Sequence, residues 1–89
     1  MTTATAMNKT EIRGVLLEAL AMIAPEADFA MLTPDANVRE TLDIDSFDFL
    51  NFLIEVDRIL GVETPEADYG KLNSLDEMVA YFGVRAGGL

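Results

Sequence analysis

The side chains that most often do chemistry near neutral pH are absent, since the 89 residues include no His and no Cys. That removes the usual general base, the thiolate nucleophile, a disulfide framework and a thiolate zinc site together. Hydroxyls and carboxylates remain, and they gather in one segment, Asp43-Ile44-Asp45-Ser46-Phe47-Asp48. Asp45 and Ser46 are both favoured N-cap types. Asp48 falls in the first turn of the helix they would open, where the macrodipole favours an anion. A helix start also presents unpaired N–H groups and partial positive charge, so a phosphate joined to the Ser46 hydroxyl would be well placed there. Taken alone, a serine at such a position is more often an ordinary cap than a site of modification. Asp43 and Asp45 also begin like a calcium-binding helix-loop-helix loop, but that pattern fails. Phe47 stands at its fifth position, Asp48 where the sharp-turn glycine belongs and Ile54 where a bidentate glutamate is required.

The helix that follows Ser46 carries two apolar stripes. Phe49, Phe52, Leu53, Val56, Ile59 and Leu60 recur at helical spacing and predict a core face. Phe47, Leu50 and Ile54 fall on another side, with polar neighbours Asn51, Asp57 and Arg58. They predict an apolar surface that starts beside the serine. The plainer alternative is that this second stripe packs under the loop that precedes the helix. Gly61 supplies the residue that ends the helix.

Three other segments hold this helix in place. Asn8 and Glu11 fit an amide-capped capping box, and Ile12, Val15, Leu16, Ala19, Leu20 and Ile23 then predict a first amphipathic helix that Ala24-Pro25 ends. Residues 25–43 show no periodicity and read as a long loop pinned to the core by Phe29, Leu32, Val38 and Leu42. Thr64-Pro65-Glu66 reads as an N-cap followed by proline, opening a short helical turn before Gly70. Ser74 and Glu77 form a capping box for a last helix with Leu75, Met78, Val79 and Phe82 on one face. No stretch alternates as paired strands do. The expected fold is all-α, a small irregular bundle of three main helices plus one short one. Its domain spans residues 8–83, between a disordered segment at 1–7, in which Met7 is a second candidate initiator, and a flexible tail at 84–89.

A formal net charge of −10, from 16 acidic and 6 basic residues, speaks against nucleic-acid binding, which needs Lys and Arg to displace counterions. Neither a bilayer-spanning apolar run nor a signal-peptide pattern is visible, so a cytoplasmic monomer is expected. The carboxylates of Asp43, Asp45, Asp48, Glu55, Asp57, Glu63, Glu66 and Asp68 are dense enough to repel one another. Weak divalent binding at the surface is expected from them, without an intrinsic metal site.

Leu42-Asp43-Ile44-Asp45-Ser46-Phe47-Asp48 closely resembles the phosphopantetheine attachment motif of acyl carrier proteins. That motif is a hydrophobic residue, two variable positions, then Asp-Ser and a hydrophobic residue. The long helix, its end at Ile59-Leu60-Gly61-Val62, the Pro65 to Gly70 turn and the final helix fall where that family has them, so the resemblance runs from Asn8 to Phe82. It implies a carrier rather than an enzyme. Ser46 would receive 4′-phosphopantetheine from coenzyme A through a separate phosphopantetheinyl transferase, and Asp45 would help bind that transferase's magnesium ion. The arm would hold an acyl group as a thioester for loading ligases or synthases, and Phe47, Leu50, Asn51, Ile54 and Arg58 would face those partners. Four positions depart from the family pattern. Asp43 replaces the commoner glycine, Phe47 a leucine or methionine, and Asn51 and Arg58 stand where acidic residues are usual. These departures suggest a specialised carrier in fatty-acid, lipid or polyketide-type metabolism, whose partners dock more by apolar contact than by salt bridges. A peptidyl or D-alanyl carrier loaded by its own ligase is the alternative within the family. A helical interaction module without the arm is the alternative outside it.

Overall fold

A computed structural model of the protein describes residues 8–87. Four α-helices follow one another: α1 (Lys9–Ile23), α2 (Val38–Leu42), α3 (Ser46–Leu60) and α4 (Leu75–Gly87). Two 3₁₀ turns, Phe29–Met31 and Glu66–Lys71, lie in the connections, and no strand occurs among the described residues. The all-α bundle with three long helices is therefore present. The segment at 1–7 lies outside the described residues, as do residues 88 and 89.

Both expected capping boxes form. The Asn8 side chain accepts from the Glu11 N–H at 2.8 Å, and Glu11 accepts from the Asn8 N–H at 2.9 Å. At the start of α4, Ser74 Oγ accepts from the Glu77 N–H, and Glu77 accepts from the Ser74 N–H, both at 3.1 Å. Each box satisfies two helix-start donors that have no partner within the helix.

α1 packs against both α3 and α4. Ile12, Leu16, Ala19 and Leu20 meet Phe49, Phe52, Leu53 and Val56 from α3 and Leu75, Met78, Val79 and Phe82 from α4 in one buried cluster. Burying a side chain as large as Phe52 or Phe82 contributes roughly 1.5–3 kcal/mol each. Ile59 and Leu60, at the far end of the core stripe of α3, are only half-buried, because the chain turns away at Gly61.

The structure corrects three local expectations. The stretch from Pro25 to Asp43 is not one loop: it holds the first 3₁₀ turn and α2, whose Asn37 cap accepts from the Glu40 N–H at 2.9 Å. Leu32, Val38 and Leu42 do pin it to the core, and Phe29, partly buried, packs against the same cluster. Thr64 does not cap the second 3₁₀ turn. Pro65 occupies the cap position without a side-chain bond, and Thr64 instead bonds to Asp57, its N–H at 3.0 Å and its hydroxyl at 2.6 Å. Finally, the last helix does not stop near Phe82. It continues through Gly87, and Arg85 lies over the Tyr81 ring at 4.4 Å and reaches Asp68 at 3.2 Å, so residues 84–87 are helix rather than tail.

Candidate functional site

The site is built where α2 hands over to α3. α2 ends on Asp43, whose backbone is left-handed at φ 55° and ψ 49°. Aspartate tolerates this region better than most residues with a Cβ, and glycine has no penalty there. The turn lets the Ile44 N–H return to the Arg39 carbonyl at 3.0 Å, with the Ile44 side chain buried. Asp45, not Ser46, is then the cap of α3, its Oδ1 accepting from the Asp48 N–H at 2.8 Å.

With the cap filled by Asp45, Ser46 is the first residue of the helix, exposed, with its hydroxyl free of capping duty. The partner that this hydroxyl does have comes from α2. Arg39 Nη2 donates to Ser46 Oγ at 3.1 Å, and the Arg39 guanidinium lies 5.3 Å from the centroid of the Phe49 ring. Phe49 is buried and is held in turn by Phe52 at 5.8 Å and by an edge-on Tyr69 at 6.4 Å. Arg39 is thus steadied by a cation–π contact and aimed at the serine. Beside Ser46 opens a cleft of about 550 Å³, walled by Phe49 and Leu50 of α3, Tyr69 and Gly70 of the second 3₁₀ turn, and Leu72 and Asn73 beyond it.

The second apolar stripe of α3 is exposed and does not pack under the loop. Phe47 is 71 % exposed, Leu50 40 % and Ile54 56 %. Of the polar residues predicted beside it, Asn51 is half-buried and Arg58 is exposed. Arg58 is spent locally, donating from Nε to Glu55 Oε1 at 3.3 Å and pairing through Nη2 with the other carboxylate oxygen. That hydrogen-bonded pair holds the Glu55 carboxyl below its ordinary range. The two charges answer each other instead of a partner, which leaves this side of the helix less charged than the sequence suggests.

The expected carpet of free carboxylates is also thinner. Asp57 is taken up by Thr64. Asp68 accepts from the Tyr81 hydroxyl at 2.7 Å and pairs with Lys71 and Arg85, each at 3.2 Å. Among the described residues no three acidic side chains converge as a metal cluster would require.

The sequence assigns no role to Arg39, because it lies in the stretch that reads as loop. A signal was present: Asn37 and Glu40 repeat the spacing of a capping box, and Val38 with Leu42 gives one apolar pair at i, i+4. A five-residue helix is too short for that pair to stand out as a period.

The chain is similar to known carrier proteins. The family described as "Phosphopantetheine attachment site" matches residues 10–82. An acyl carrier protein of Rubrobacter xylanophilus is 33% identical over 54 residues, which cover 61% of this chain and 67% of that one. The polyketide-8 synthase acyl carrier protein 2 of Streptomyces avermitilis is 32% identical over 74 residues, 83% of this chain and 79% of that one. An acyl carrier protein of Campylobacter hominis is 31% identical over 71 residues, covering 80% and 84%. The chain belongs to the phosphopantetheine-binding family of acyl carrier proteins. It is a carrier and not an enzyme, and its cofactor is covalently attached 4′-phosphopantetheine. The residues present suit that group, because an exposed hydroxyl at a helix start stands beside a guanidinium at the rim of an open cleft.

Proposed function

We propose that Ser46 is the attachment point and that Phe47, Leu50 and Ile54, with Asn51 and Arg58 at their margin, form the surface on which loading ligases or synthases dock. The observation that carries this reading is the Ser46 hydroxyl, exposed on the first residue of α3 and relieved of capping by Asp45. The arm supplies the thiol that this chain lacks, and its cargo is an acyl group held as a thioester. The chain's own part is to present and to position. Asp45 fixes the start of α3 with one carboxylate oxygen and offers the other to a magnesium ion brought by the transferase. The dipole of α3 and its first N–H groups favour the anionic linkage. The exposed stripe begins one residue from the attachment point, so an enzyme that covers it brings its active site to the arm.

The work of such a carrier is proposed for the cytoplasm, in fatty-acid, lipid or polyketide-type metabolism; no helix among the described residues is long and apolar enough to cross a membrane. Neutralisation of Arg58 by Glu55 and the uncharged Asn51 favour partners that dock by apolar contact. Incubation with coenzyme A and a broad-specificity phosphopantetheinyl transferase is expected to raise the intact mass by one phosphopantetheine. Ser46→Ala is expected to abolish that rise completely. A full mass increase in the Ser46→Ala protein would move the attachment elsewhere.

A further inference from the structure

Three of the six basic residues, Arg58, Lys71 and Arg85, are engaged by carboxylates within the described structure. Arg39 is not. In a chain of net charge −10, its guanidinium takes part in none of the described ion pairs and donates instead to a neutral hydroxyl. The backbone of Arg39 is anchored, while its side chain is exposed. Val38 and Leu42, on either side of it in α2, are buried. The Val38 N–H is tied to the Asn73 carbonyl at 2.8 Å, the Arg39 carbonyl accepts from the Ile44 N–H, and the guanidinium rests over Phe49. A guanidinium that takes part in no described ion pair, rests over Phe49 and is aimed at the one oxygen that is to be esterified is arranged for the anion that the ester brings, although Glu66 also lines the cleft.

We infer that Arg39 binds the phosphodiester of the attached arm, exchanging its hydrogen bond to Ser46 Oγ for bonds to the non-bridging phosphate oxygens. This inference rests on the reading of Ser46 as the attachment point. Esterified at Oγ, the phosphorus lies one bond beyond an atom that Arg39 Nη2 already contacts at 3.1 Å, so its free oxygens fall within reach of the planar guanidinium fork. The phosphodiester carries one negative charge at all working pH values, so the contact does not switch with pH. Its effect is to clamp the root of the arm at the mouth of the cleft beside Tyr69 and Asn73. The arm then leaves α3 in a restricted direction, while Phe47 and Leu50 stay uncovered for a partner. Arg39 is a positioning residue for the arm, and it is distinct from the docking stripe.

The test is a cycle of thermal melts on the full chain. Wild type, Arg39→Gln and Arg39→Lys are each taken with and without the arm, and intact mass certifies each state. Losses that Arg39→Gln suffers equally in both states, such as the contact with Phe49, cancel in the cycle. Modification is expected to raise the melting temperature of the wild type by about 4 °C more than that of Arg39→Gln, with Arg39→Lys between them, the size of a well-placed exposed ion pair in a small domain. Phosphorus NMR of the modified wild type gives a second readout that needs no variant. Its resonance is expected to show a through-space contact with the Arg39 guanidinium protons. Modified proteins that gain equally from the arm, or a phosphorus resonance with no contact to Arg39, would overturn the clamp and leave the carrier reading standing. Failure of the wild type to gain mass at all would remove the carrier reading and the clamp together.

Discussion

The two ends of α3 are built from the same kinds of residue and used in opposite ways. At the amino end, Asp45 caps the helix and the next two side chains, Ser46 and Phe47, point into solvent. At the carboxyl end, polar groups turn inward on one another. Gly61, left-handed at φ 69°, lets its own N–H and that of Val62 both reach the Asp57 carbonyl, at 2.8 and 3.2 Å. The Asp57 carboxylate then takes the N–H and hydroxyl of the buried Thr64. The following 3₁₀ turn continues the anchoring, because Asp68 is fastened to Tyr81 and Arg85 of α4 while its neighbour Tyr69 faces the cleft. One end of the helix is left exposed, as the proposed attachment point and docking stripe require; the other fixes the wall of the cleft that Ser46 also lines.

The contrast is broken most directly by Asp57→Ala. It removes two hydrogen bonds to a charged acceptor and leaves the Thr64 hydroxyl buried without a partner, at a cost of about 2 kcal/mol. In a domain this small the melting temperature should fall by roughly 10 °C. An unchanged melt would mean that the carboxyl end anchors nothing.

The Asp68 contact sharpens the comparison through pH. Its hydrogen bond from Tyr81, reinforced by Lys71, holds the Asp68 carboxyl below the ordinary carboxylate range. A lowered folded-state pKa gives stability that is present above the unfolded value, near 4, and is lost as pH falls through the folded one. Glu55, lowered by Arg58, acts with the same sign. Tyr81 has the opposite sign: burial, then its bond to Asp68, raises its pKa, so its contribution is present below the unfolded value and is lost as pH rises through the folded one. Melting temperatures recorded from pH 7 down to pH 3 should fall less steeply in Asp68→Asn than in wild type. Parallel acid limbs would exclude Asp68 as an anchor.

The smallest effect on stability is expected at the free end. Phe47→Ala should alter the folding free energy by no more than about 0.5 kcal/mol, since the ring makes little use of the core. The same change should weaken binding to a cognate ligase or synthase, and wild-type affinity should vary only weakly with salt. A Phe47→Ala protein that melts early would place the ring in the fold instead of on the docking surface.

Much of this architecture is legible along the chain because it is local. The capping boxes at Asn8 and Ser74, the two stripes of α3 and the stop at Gly61 all depend on residues within four positions of one another, which is the range a helix repeats. The short motif around Ser46 is local in the same sense. The Thr64 assignment misleads for a related reason: Thr64-Pro65 has the local form of a cap, and only the approach of Asp57, seven residues earlier, offers the threonine a charged acceptor. The final helix reads short because Gly83 weakens its pattern, while the contacts of Arg85 that extend it come from Asp68, seventeen residues away.

By itself, then, the sequence determined that three amphipathic helices form, that no His or Cys is available for catalysis, and that a serine opens the middle helix with an apolar stripe behind it. The packing of the elements was needed to show that this stripe stays exposed and that Arg39 reaches the Ser46 hydroxyl across the turn from α2. The reason is one of range. Periodicity and capping act within a turn or two of helix, whereas exposure and the meeting of Arg39 with Ser46 depend on how α2 and the 3₁₀ turn at 66–71 settle against α3.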